Sequence, residues 1–134
     1  MNYDDIKVGD AFSFEKEISK EEVLRFAELS GDFNKLHIDE AFGKQSKFGK
    51  NIVHGMLCGS LFSRIVGMHC PGENSLYMTQ SLNFKAPVFY GDKLTVCGTV
   101  LGKNDSIRMI TLKTEVIRDS KVVVSGEAKV KILE

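Results

Sequence analysis

The chain has 134 residues, enough for one domain with a sizeable core, expected to span 1–134. Its 18 Lys and Arg balance its 18 Asp and Glu, so no basic field invites nucleic acid or anionic lipid. Cys58, Cys70 and Cys97 are widely spaced, odd in number and without metal-ligand pairing, which points to a reducing, cytoplasmic setting.

The N-terminus, Met1-Asn2-Tyr3-Asp4-Asp5, is acidic and polar, unlike a signal peptide. Alternating Phe12 and Phe14 predict a strand over Ala11–Ile18. Ser19-Lys20-Glu21-Glu22 has the form of a capping box, with Ser19 as N-cap and Glu22 reaching back. Val23, Phe26 and Ala27 continue as an apolar helical stripe. Gly31 stands where a helix stops in a left-handed conformation. Asp39 is placed to cap a short helical turn.

From Ile52 to about His69 the pattern predicts one long apolar helix, with Leu57, Leu61, Ile65 and Met68 on one face. His54, Arg64 and several glycines make a buried core helix a better reading than a membrane span. Pro71-Gly72 ends it. Alternation then predicts strands over Ser75–Ala86, around Leu94–Val100, over Ile107–Arg118 and over Lys121–Leu133, the last two joined by the turn Asp119-Ser120. Four antiparallel strands and an N-terminal strand packed round one apolar helix make an α+β architecture. Its exposed edges would be protected by pairing across a two-fold axis.

The chemistry-bearing residues concentrate between Ser30 and Leu57. Asp32 and His37 fall on a short loop after the first helix, and His54-Gly55 opens the apolar helix. A carboxylate and an imidazole can share proton transfers, and a free N–H at a helix start can meet a developing negative charge. Together they suit the addition of water to, or its removal from, a carbon next to a thioester. Each residue also has a plainer reading. Asp32 and Asn34 are common turn formers, and a single histidine such as His37 is often structural. Gly55 and Ser63 can be small packing residues, and His54 reads as shaping the helix entry, with substrate contact as its lesser alternative. Asp39 reads as a cap and Cys58 as a core residue, not a nucleophile.

The run Ser30-Gly31-Asp32-Phe33-Asn34-x-Leu36-His37-x-Asp39, followed by Phe42, Phe48-Gly49 and Ile52-Val53-His54-Gly55-Met56-Leu57, resembles the signature of R-specific enoyl-CoA hydratases in the MaoC-like dehydratase group. The likeness continues through Ser60-Leu61-Phe62-Ser63, Pro71-Gly72, Ser81-Leu82-Asn83-Phe84-Lys85-x-Pro87-Val88 and Gly91-Asp92, most of the chain. It implies a hot-dog fold, a curled antiparallel sheet around a central helix, usually dimeric. It implies that Asp32 and His37 together activate one water and that the Gly55 N–H meets the thioester carbonyl. It also implies that Ser63 orients the acid; Asn34, by its position between Asp32 and His37, is a candidate supporting residue. One position departs from the family: Lys35 stands where proline is usual, which removes a restraint on the loop.

The expected function is reversible hydration of a trans-2-enoyl-CoA to the (R)-3-hydroxyacyl-CoA, with coenzyme A as part of the substrate and no cofactor or metal. The alternatives are a hydroxyacyl-acyl-carrier-protein dehydratase, a hot-dog thioesterase and a non-catalytic acyl-thioester-binding subunit. The intact Asp-x-x-x-x-His spacing weighs against the last two. Lys44, Lys47 and Lys50 could form a basic rim for an acidic carrier protein or for coenzyme A phosphates. The expected assembly is a cytoplasmic homodimer without nucleic-acid or membrane partners.

Overall fold

The computed structural model describes residues 1–133. After a short 3₁₀ turn at Tyr3–Asp5, the elements run β1 (Ala11–Glu17), α1 (Lys20–Ser30), α2 (Lys35–Ile38), α3 (Glu40–Gln45), α4 (Gly55–Ser60) and α5 (Phe62–Arg64). A π-helical turn at Ile65–His69 leads to β2 (Ser75–Gln80), β3 (Asn83–Phe84), β4 (Lys93–Asn104), β5 (Met109–Arg118) and β6 (Lys121–Ile132). The six strands form one antiparallel sheet in the order β1-β4-β5-β6-β2, with β3 also pairing β6.

The sheet buries one face, as its alternation requires. Leu94, Val96 and Val100 of β4, Ile110, Leu112 and Val116 of β5, and Ala128, Val130 and Ile132 of β6 are all nearly solvent-free. The helical segment from Gly55 to His69 lies against this face. Its Cys58, Phe62 and Ile65 join one apolar cluster and its Val66 a second. Register shifts at Tyr77/Thr79, Val100/Gly102 and Val116/Ile117 interrupt the ladders. Bulges of this kind bend strands and strengthen twist, as a sheet that curls round a helix needs.

Local signals hold where they rest on neighbouring residues. Ser19 and Glu22 form the reciprocal capping box, and Gly31 ends α1 at φ 81°. Asp39 caps α3 through a 2.9 Å bond from the Phe42 N–H. The long helix expected over residues 52–69 is corrected. Ile52 and Val53 are held extended, Ile52 bridging Phe89 and the Val53 N–H donating to the Val88 carbonyl at 2.7 Å. Helix begins only at Gly55. The path then tightens, with the Leu61 N–H reaching the Cys58 carbonyl, and widens where the Cys70 N–H reaches the Ile65 carbonyl. The strand expected over Ser75–Ala86 also divides, since the Ser81 N–H and Oγ turn to Glu127 between β2 and β3.

Candidate active site

The segment between α1 and α4 carries the polar residues of a cleft of about 460 Å³. Asp32, His37, His54 and Gly55 lie at one part of its lining. Phe84, Pro87, Val88, Cys58 and Val124 supply apolar wall. Burial pushes the Cys58 thiol up to about 12, so it remains protonated in the wall and is no nucleophile.

Asp32 follows the left-handed Gly31 and forms a local turn in which its Oδ1 accepts the Asn34 N–H at 3.1 Å. Asn34 in turn caps α2 by accepting the Leu36 N–H at 3.0 Å. His37 was expected on a loop, but it belongs to the short helical turn α2. Asn34 thus links the two residues that the sequence singles out. Its capping role starts the turn that carries His37.

The His37 ring is oriented by its Nδ1–H, which donates to the Ile52 carbonyl at 2.9 Å. That bond leaves an Nε2 lone pair in the neutral ring, 3.9 Å from Asp32 Oδ2. The His37 side chain is 13 % exposed and that of Asp32 50 %. The acid is therefore reachable from the cleft and the imidazole is largely enclosed. One water-sized oxygen between Oδ2 and Nε2 can hydrogen-bond to both.

Three further residues fix this arrangement. Asn51 is 8 % exposed, and its Nδ2 donates to the Asp39 carbonyl at 2.8 Å and the Leu36 carbonyl at 3.0 Å. A Cβ at Gly43 would lie 2.6 Å from that amide nitrogen, so glycine is required for the approach. The Tyr90 hydroxyl donates to the His37 carbonyl. His54, 2 % exposed, donates from Nε2–H to the Asp32 carbonyl at 3.0 Å and stacks on the His37 ring at 4.0 Å between centroids. The sequence offered no signal for Asn51 or Tyr90, and for His54 it suggested a shaping role first and substrate contact second, not a bond to Asp32. Their bonds join residues 12 to 53 positions apart.

Gly55 is the first residue of α4, so its N–H has no partner within that helix. The α4 helix has 6 residues, so what Gly55 contributes is this local donor, not the field of a long helix. A Cβ on Gly55 would meet the Phe84 ring at 3.0 Å, so glycine also lets the cleft wall close on the helix start. Ser63 is exposed in α5 and does not line the cleft. The structure brings together Asp32, Asn34, His37 and Gly55 but leaves Ser63 apart. Of the expected basic rim, Lys44 pairs with Glu40 at 3.3 Å, and Lys47 and Lys50 lie over the rings of Phe48 and Phe89.

Asp32, His37 and His54 each offer a ligand atom, and these atoms lie within 4.8 Å of one another. His54 Nε2, however, carries the proton given to the Asp32 carbonyl. Of Asp32 Oδ2, His37 Nε2 and His54 Nε2, the first two are then left to bind an ion, fewer than the three protein ligands of an ordinary catalytic zinc site.

The MaoC-like domain family matches residues 5–122. An (R)-specific enoyl-CoA hydratase of Aeromonas caviae is 41 % identical over 133 residues, covering 98 % of this chain and 99 % of that protein. A solved (R)-hydratase of A. caviae, involved in PHA biosynthesis, superposes with a TM-score of 0.92 at 42 % identity, covering 95 % of this chain and 97 % of that one. A mitochondrial 3-hydroxyacyl-[acyl-carrier-protein] dehydratase of Arabidopsis thaliana is 35 % identical over 127 residues, 92 % of this chain and 75 % of that protein. The sheet wrapped on a central helical segment is therefore a hot-dog fold, and the chain belongs to the MaoC-like family of hydratases and dehydratases.

Proposed function

We propose that this chain is a hydro-lyase that adds water to a trans-2-enoyl thioester to give the (R)-3-hydroxyacyl thioester, and runs the reverse reaction. The observation that carries this reading is the 3.9 Å gap between Asp32 Oδ2 and His37 Nε2 in a cleft that also holds Gly55. A water in the gap gives one proton to the Asp32–His37 pair as its oxygen bonds to C3. The C2–C3 π electrons move toward the thioester oxygen, and the Gly55 N–H meets the charge that builds there. The electron pair then returns to C2, which takes a proton from the pair. The sum is one water added, with no cofactor; coenzyme A is part of the substrate.

The test follows loss of the conjugated enoyl absorbance with crotonyl-CoA while free thiol is monitored. Absorbance loss without thiol supports hydration. Thiol release moves the reading to a thioesterase. The similarity to a plant carrier-protein dehydratase supports a second reading, in which the acyl group arrives on a carrier protein. A crotonyl-carrier substrate turned over with much the higher kcat/KM would establish it.

The assembly in this reading is a homodimer. The strands β2 and β3 form one sheet edge, and Leu76, Met78 and Phe84 there, with Met56 of α4, are about half exposed or more. Such an edge favours pairing with a second copy. Sedimentation at micromolar concentration should give a dimer; a monomer would contradict it. Among the described residues, no helix is long and apolar enough to cross a membrane. A cytoplasmic location accords with the three free cysteines.

A further inference from the structure

We infer that His54 is a positioning residue that ties the acid Asp32 to the start of the central helix and keeps the His37 ring in plane for it; the inference rests on the hydratase reading above. Asp32 sits on an exposed turn and is held at three points. Its N–H donates to Ser30 Oγ at 3.1 Å, and its Oδ1 accepts the Asn34 N–H at 3.1 Å. Both partners lie two residues away: Ser30 ends α1 and Asn34 begins α2, so these bonds hold Asp32 to its neighbours in the chain and neither ties it to the central helical segment. The third bond comes from His54, 22 residues on, whose Nε2–H donates to the Asp32 carbonyl at 3.0 Å.

His54 is itself rigidly seated. It is 2 % exposed, stacks on His37 with an interplanar angle of 27°, and receives Phe26 edge-on at 4.9 Å. It immediately precedes Gly55, so one residue fixes the distance between the acid and the N–H that would meet the thioester oxygen. Its Nδ1 is buried without a hydrogen-bond partner among the described residues. An unpaired buried nitrogen is costly, and an apolar side chain of similar size would avoid that cost. What an apolar side chain cannot supply is the Nε2–H donor to Asp32.

The two ring nitrogens give a discriminating pair of substitutions. Glutamine can place an amide N–H near the position of Nε2; asparagine is shorter and reaches only the region of Nδ1. His54→Gln should keep kcat for crotonyl-CoA hydration near that of the unmodified chain. His54→Asn and His54→Leu should lower kcat by on the order of 10–100-fold, as small misplacements of reacting groups do. KM should change little, because His54 is assigned no substrate contact. Amide exchange in residues 31–34 should quicken in the asparagine and leucine variants and stay slow in the glutamine variant. If His54→Leu does not fold, the glutamine and asparagine variants decide the matter. An active unmodified chain whose asparagine variant keeps its kcat and its amide protection overturns the inference alone. An unmodified chain that hydrates neither crotonyl-CoA nor the carrier-bound substrate overturns the hydratase reading and this inference with it.

Discussion

The β4–β5–β6 sheet and the segment from Ser30 to His54 are built on opposite principles. In the sheet, antiparallel register runs from Thr95 to Asn104 against β5 and from Met109 to Arg118 against β6. Buried residues alternate mostly with half-buried ones, so stability is spread over many equivalent contacts. In the site segment, α2 and α3 have only 4 and 6 residues and little core of their own. Their geometry depends on a few side chains that reach backbone carbonyls: Asn51, Tyr90, His54 and His37 itself. The sheet tolerates the loss of one contact as a loss of stability. The site segment has few contacts to lose, and each loss moves Asp32 or His37.

The strongest way to sharpen this contrast is to remove the two groups to which the proposed reaction assigns proton transfer. Asp32→Asn and His37→Gln should each lower hydration by about two orders of magnitude while the fold and melting temperature are retained. The double variant should lose less than the two effects combined, because in the proposed reaction the pair acts on one water. Near-normal turnover in either single variant would remove that residue from the mechanism. In the sheet the reverse outcome is expected. Leu112 is fully buried in β5, and Leu112→Ala should cost about 2–5 kcal/mol in denaturant unfolding, with kcat per folded molecule unchanged.

Asn51→Leu tests the middle ground. It removes the donor to the Leu36 and Asp39 carbonyls and should cost about 1–3 kcal/mol of stability. It should also lower kcat roughly tenfold by loosening the turn under His37. A stability loss with kcat intact would show that Asn51 serves the fold and not the site.

The smallest expected effect is a gain. Lys35 is the first residue of α2, where proline is favoured and the N–H has no helical partner. Asn34 before it has ψ 128°, a conformation that proline accepts in its neighbour. Lys35→Pro should therefore stabilise the chain by about 0.4–1 kcal/mol, with activity preserved. A rise in KM that weakens at high salt would instead assign Lys35 to the phosphates of the substrate. Loss of folding would mean that the turn follows a backbone path closed to proline.

Much of the architecture was legible in the residues because its determinants are local. Ser19 and Glu22 are three positions apart and satisfy each other's backbone, so the start of α1 needs no distant partner. Alternation located β4, β5 and β6 because a half-buried strand shows its period in any short window. The spacing of Asp32 and His37 survived into the structure because one short turn joins them. Tertiary contacts decided the rest. Ile52 and Val53 carry a helical pattern but are drawn into extended bonds with Phe89 and Val88, far along the chain. Ser63 fits the motif, yet its place in α5 leaves it exposed in the single chain. Asn51, Tyr90 and the His54 bond to Asp32 were invisible because a side chain's reach to a carbonyl 12, 53 or 22 residues away has no periodic trace. The sequence by itself marked the candidate residues for the chemistry and the long strands β4, β5 and β6; the three-dimensional packing divided β2 from β3 and decided how those residues are aimed, because aim depends on partners brought together only when the chain has folded.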